Sequence, residues 1–150
     1  MSGAKAQITI NQDVINRLGD VAKERMTEAV IELREETIRT LSQPGKGRTY
    51  TNYFFTDASG RLRVGRPRNK PHTASAPGAP PARDTSSLVQ SVKWELEGNG
   101  NKILGRVGTN LDLGPMLEYG TKKMAARPWL SVAARNSIGA IKSIFSREFM

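Results

Sequence analysis

Between Val14 and Leu41 the apolar residues Ile15, Leu18, Ala22, Met26, Ala29, Leu33 and Leu41 recur at three- and four-residue steps. Val14, Val21, Val30 and Ile38 widen the stripe, while Glu24, Glu28, Glu32, Glu35, Glu36 and Arg39 take much of the opposite side. This is the 3.6-residue period of an amphipathic helix. Asn11 or Asp13 supplies an amino-terminal cap, and no proline interrupts the pattern before Pro44. The expectation is one helix of about 30 residues, about 45 Å long at 1.5 Å per residue. Gly19 is the alternative breakpoint, because an interior glycine costs about 1 kcal/mol relative to alanine. A helix of this length overreaches a small domain, so its outer end is expected to pack elsewhere, a neighbouring subunit being one candidate.

The period then changes. Ala6 to Ile10 alternates as a short strand would. Tyr53-Phe54-Phe55-Thr56 and Arg61-Leu62-Arg63-Val64 flank Asp57-Ala58-Ser59-Gly60, which predicts a hairpin about a glycine-containing turn. Leu62 and Val64 alternate with Arg61 and Arg63, so one face is apolar and the other cationic. Residues 65–84 have no period, and 43–84 hold six of the eight prolines and five of the fourteen glycines. They are expected to form an extended basic arm or loop. Asp84 or Thr85 caps a turn running through Leu88 and Val92. Lys93 to Glu97 and Lys102 to Val107 pair about Gly98-Asn99-Gly100-Asn101, a strong hairpin signal. Leu130, Ala133, Ala134, Ile138, Ile141, Ile144 and Phe145 mark a final helix. The order predicts one α+β domain over residues 1–150. Both helices lie on a small antiparallel sheet, and the 43–84 hairpin and arm are inserted between the first helix and the core strands.

Composition narrows the chemistry. A chain of 150 residues buries roughly 70% of its unfolded surface and needs no metal or disulfide to fold. It has no cysteine, which excludes disulfides, thiolate zinc sites and cysteine nucleophiles. Met1 to Lys5 lacks an apolar signal core, and no run approaches the roughly 18 apolar residues of a membrane span. A soluble protein made inside a cell, without membrane contact, is expected. The net charge of +9 is uneven: +1 from residues 1–10, −2 from 11–42, +6 from 43–84 and +4 from 85–150. A basic loop region favours polyanions, acidic protein surfaces or solubility, and charge alone does not choose.

Candidate catalytic groups are sparse. His72, the only histidine, stands in the proline-rich loop and is expected to be solvent-exposed. Gly45-Lys46-Gly47-Arg48 follows a helix and lacks the ending of a phosphate loop. Glu118 has no second carboxylate near it in sequence, and Arg127 is its expected basic partner. No His/Cys/Asp cluster has metal-ligand spacing. Neither enzyme activity nor a cofactor or metal is expected. Arg61, Arg63, Arg66, Arg68 and Lys70 lack the aromatic interleaving of a single-strand groove. They suit DNA phosphates, an acidic subunit face or a solvated loop.

The most specific stretch is Leu117-Glu118-Tyr119-Gly120-Thr121, followed by Arg127-Pro128-Trp129-Leu130. Gly120 is expected as the left-handed terminator of a helical turn begun near Pro115. Pro128 suits the first turn of a new helix. Lys122 and Lys123 occupy a loop too short to bury them, and Trp129 should anchor a core or an interface. Locally, this is a connector that fixes the angle between two packed elements.

Leu117 to Ala133 also resembles the carboxy-terminal signature of the head–tail joining, or tail-completion, proteins of long-tailed bacteriophages. Their pattern runs Leu-Glu-aromatic-Gly-Thr, a short basic loop, then Arg-Pro-aromatic-Leu. Upstream, Ala74-Ser75-Ala76-Pro77-Gly78-Ala79-Pro80-Pro81-Ala82 resembles the family's Ser-x-Pro-Gly-x-Pro-Pro segment. Thr85-Ser86-Ser87-Leu88 follows where the family has Thr-Gly-x-Leu, with Ser86 in place of glycine, and Ser91-Val92 matches its short Ser-Val run. The resemblance covers about residues 74 to 138 and, more loosely, the amino-terminal helix. It implies a structural virion component of the neck, assembled in the host cytoplasm, that caps the tail tube and joins it to the head connector. It further implies self-association into a ring, a hexamer being expected. The implied partners are a tail tube or tail terminator protein and a head connector or stopper protein, with non-specific contact to genomic DNA in the channel. The alternative is a basic DNA-binding protein with no phage role.

Overall fold

The computed structural model describes residue 9 and residues 11–82, 86–99 and 102–149. The expected strand at Ala6 to Ile10 lies outside the described residues, apart from Thr9, which is in no strand. So do the proposed caps Asp84 and Thr85, and Gly100-Asn101 of the second turn. The order is α1 (Gln12–Leu41), β1 (Thr49–Thr56), β2 (Leu62–Thr73), α2 (Ser87–Ser91), β3 (Lys93–Asn99), β4 (Lys102–Gly108), α3 (Leu113–Tyr119) and α4 (Leu130–Ser146).

Helix α1 runs 30 residues without a break at Gly19. Asn11 caps it, its side-chain oxygen accepting from the Asp13 N–H at 2.9 Å. Its buried residues all lie in the second half: Ala29, Val30, Thr37, Thr40 and Leu41. There α4 and the β3–β4 hairpin pack against it. Thr37 is fully buried without strain, because its hydroxyl donates to the Leu33 carbonyl at 2.7 Å. Arg34 reaches across to the Val92 carbonyl at 3.1 Å. Near the middle of the helix, Arg147 pairs with Glu28 and Arg25 donates to the Glu148 carbonyl.

The fold is α+β, as expected, but the strands form two separate antiparallel sheets of two strands each. One sheet carrying both helices does not form. α4 packs on α1, and so do β3 and β4. The core is Leu41, Val92, Leu117 and Trp129, with Leu88, Val89, Val107, Met124 and Leu130 around it. It joins the end of α1 to the region between α2 and α4.

Residues 65–73, expected as irregular arm, instead continue β2. Pro67 and Pro71 hid the strand. Both strands of a two-stranded sheet are edges, where a missing N–H is tolerated, and the register is bulged. Asn52 pairs with Pro67 and Tyr50 with His72, with shifts on either side of Asn52. His72 accordingly sits half-buried in a strand rather than exposed in a loop.

Candidate functional site

The signature residues build a clamp between α3 and α4, and Glu118 is its centre. Its carboxylate accepts the backbone N–H groups of Trp129 at 2.8 Å, Leu130 at 2.9 Å and Ser131 at 3.1 Å. These are N–H groups that the first turn of α4 cannot satisfy itself. α4 has no side-chain cap of its own, so a carboxylate from α3 supplies one, with favourable sign toward the helix dipole. The expected pairing with Arg127 does not form. Partial burial pushes the Glu118 carboxyl up, but hydrogen bonds from the Ser131 side chain and from the three backbone N–H groups outweigh it. The net result holds the carboxyl below its ordinary value.

Trp129 is the anchor expected of it: 2% exposed, with its indole N–H donating to the Gly114 carbonyl at 3.0 Å. Leu117 is buried beside it and Leu130 half-buried. The loop is pinned by Arg127 N–H to the Leu117 carbonyl at 2.7 Å. Thr121 and Met124 exchange backbone hydrogen bonds around Lys122 and Lys123, both exposed.

Three expectations need correction. Gly120 has φ 75 but ψ 178, which is not the left-handed helical cap but a region essentially reserved for glycine. A Cβ there would stand 2.8 Å from both the Met124 carbonyl oxygen and the Ala126 nitrogen. Pro128 lies outside α4, whose first residue is Leu130, because Glu118 rather than a proline closes the helix start. Tyr119 is not a packing residue, being 81% exposed.

The upstream segment is joined to the clamp. Ala76 to Ala79 form a turn closed by Ala79 N–H to the Ala76 carbonyl at 3.1 Å, with Gly78 at φ 78. The Gly78 N–H then donates to the Ala126 carbonyl at 2.9 Å. Gly45 and Gly47 act nearby as close-approach glycines. A Cβ on Gly45 would fall 2.0 Å from the Thr73 carbonyl oxygen, and Gly47 N–H donates to the Ala74 carbonyl at 2.8 Å. Ser86 is the one described non-glycine residue with positive φ, at 67.

The β1–β2 hairpin is built differently. Its turn is organised by Asp57, whose Oδ1 accepts from Ser59 N–H at 3.0 Å, the Ser59 hydroxyl at 2.6 Å and Arg61 N–H at 3.0 Å. Its Oδ2 takes Arg63 Nε at 2.7 Å. The Ser59 hydroxyl, the Arg63 guanidinium and the Arg61 N–H together lower the Asp57 carboxyl to about 2. Tyr53 lies under both Arg66 and Arg68, with guanidinium carbons 5.2 and 4.3 Å from its ring centre. The aromatic interleaving that the cationic run lacks within itself therefore comes from the opposite strand. That pairing was hidden because it follows from cross-strand register. Arg61 and Lys70 are exposed. Leu62 and Val64, on the apolar face, are 70% and 67% exposed.

Among the described residues no group of three or more His, Asp or Glu side chains could hold a metal ion, and no helix is long and apolar enough to cross a membrane. No family model, curated protein or solved structure matches the chain.

Proposed function

We propose that the protein is a structural subunit of a phage head–tail junction, acting by assembly into a ring rather than by catalysis. The observation that carries this reading is the contact between the two segments that bear the resemblance. They lie some forty-odd positions apart in the chain, yet Gly78 N–H meets the Ala126 carbonyl at 2.9 Å. Motifs that occur together by chance have no reason to share a hydrogen bond. Ser86 adds support, since it adopts positive φ at the position where the resembling pattern has glycine.

In this reading the clamp is the rigid base. It fixes α3 against α4, and the long helix and the hairpin project from it as contact surfaces. Subunits joined head to tail through two different surfaces close into a ring when the rotation permits. The test is negative-stain imaging of the purified protein, paired with DNA binding at physiological salt. Closed rings without a stoichiometric DNA complex support the reading. A monomer that binds DNA stoichiometrically contradicts it and favours the basic DNA-binding alternative.

A further inference from the structure

We infer that the aromatic and cationic face of the β1–β2 hairpin binds the phosphate backbone of duplex DNA without regard to sequence. The inference goes beyond the ring reading and does not depend on it.

Phe55 pairs with Arg63 in antiparallel register. Directly paired residues share a face, as do residues two apart. Tyr53 therefore lies on the Arg63 side of the ribbon, and Arg66 and Arg68 join it there through their contacts with its ring. Phe54, Leu62 and Val64 take the other side. Arg61 and Lys70, both exposed, extend the charge beyond this group in either direction along the chain. Residues 61–70 hold five cations and no carboxylate, and residues 43–84 supply +6 of the net +9. Cations thus occupy the middle of the face, whereas a protein interface depletes charge at its core and keeps it at the rim.

Two of the guanidinium groups are held in place. Their carbons stand 5.2 Å (Arg66) and 4.3 Å (Arg68) from the Tyr53 ring centre, and Arg68 Nε donates to the Asn52 carbonyl at 3.4 Å. A guanidinium has five N–H donors, so one set over a ring keeps others for phosphate and gives up less freedom on binding than a mobile lysine. A ring covered in this way is a poor stacking surface for an unpaired base, which points to a duplex rather than a single strand. β1 and β2 pack extensively only on each other. The major groove of B-form DNA admits such a two-stranded ribbon, and the narrow major groove of duplex RNA does not. Non-specific binding of this kind has a Kd on the order of 10⁻⁴ to 10⁻⁶ M at physiological salt, so it is compatible with rings that hold no stoichiometric complex.

The test is fluorescence anisotropy of a labelled DNA duplex with the full chain, titrated from about 50 to about 200 mM salt. Arg66→Gln with Arg68→Gln should weaken binding about tenfold at the low-salt end and lower the slope of log affinity against log salt by about two. Arg66→Gln alone should lower the slope by about one. Tyr53→Leu keeps every charge, so it should weaken binding and leave the slope unchanged. Lys122→Gln with Lys123→Gln removes the same charge from an exposed loop elsewhere and should leave binding close to wild type. Each variant is first checked for an unchanged melting temperature. Equal losses from the Lys122 and Lys123 pair would reduce the effect to net charge and overturn the inference. So would tighter binding to a single strand, to duplex RNA or to polyglutamate, or no binding to the duplex at low salt. Ring formation is scored on the same samples. Rings that bind no duplex would overturn this inference alone, and a monomer that binds the duplex through this face would overturn the ring reading alone.

Discussion

Two carboxylates, Glu118 and Asp57, each gather several hydrogen bonds, and the contrast between them divides the molecule. Glu118 holds backbone groups 11 to 13 positions away, on a different helix, beside a tryptophan that is 2% exposed. Asp57 holds only groups within six positions, in a turn with no buried residue around it. The clamp is ordered by tertiary packing and in turn orders α4. The hairpin is ordered by its own turn and cross-strand contacts. Damage to the clamp should therefore reach the whole fold, whereas damage to the hairpin should stay local.

The sharpest way to break this division is Trp129→Ala. Removing a fully buried aromatic commonly costs about 3–5 kcal/mol, and here the Gly114 carbonyl also loses its donor. Calorimetry should show a large fall in melting temperature. An unchanged midpoint would mean that the clamp does not hold the core. Gly120→Ala comes next: the backbone conformation alone costs on the order of 1–3 kcal/mol, and the new Cβ meets two backbone atoms that cannot move aside. Denaturant titration should place it below wild type but above Trp129→Ala.

Glu118→Ala should lose about 0.5–2 kcal/mol, the usual range for a helix cap. It should also change the response to acid. The folded carboxyl is held below its ordinary value, so the folded state binds its proton less readily than the unfolded chain. The stability it adds is complete above about pH 4.5 and is lost as pH falls through the lowered value. Glu118→Gln should flatten that part of the acid profile of melting temperature; an unaltered profile would remove Glu118 from the account. The Asp57 turn should hold until pH approaches about 2, a titration that amide chemical shifts at Ser59 and Arg61 would follow. The smallest effect is expected from Leu62→Ser with Val64→Ser. These positions are 70% and 67% exposed, and such surface changes stay within about 0.5 kcal/mol. A larger loss by the same titration would show that the hairpin face packs within its own chain.

The same contrast explains what could be read from the residues. α1, α4, β3–β4 and the Asp57 turn carry local signals: a period of 3.6 or 2, a cap, an Asn-Gly pair. Residues 65–73 did not, because Pro67 and Pro71 are allowed only by bulges and free edges that exist once β2 is paired. Trp129 was legible as an anchor from its size and setting. Glu118 as the cap of α4 was not, since nothing in the local sequence tells a carboxylate that its partners are backbone groups on another helix. Gly120 looked like a helix terminator, but its ψ is set by the close return of Ala126, a contact made only in the fold. The one-sheet expectation failed because nothing in strand patterning says whether two hairpins join edge to edge.

The most direct measurement replaces residues 50–72 with a short glycine–serine turn, leaving Thr49 and Thr73 to pair as they do now. The account predicts a melting temperature close to that of the full chain together with complete loss of ring assembly by sedimentation and imaging. A chain that no longer folds, or one that still closes into rings, would contradict it.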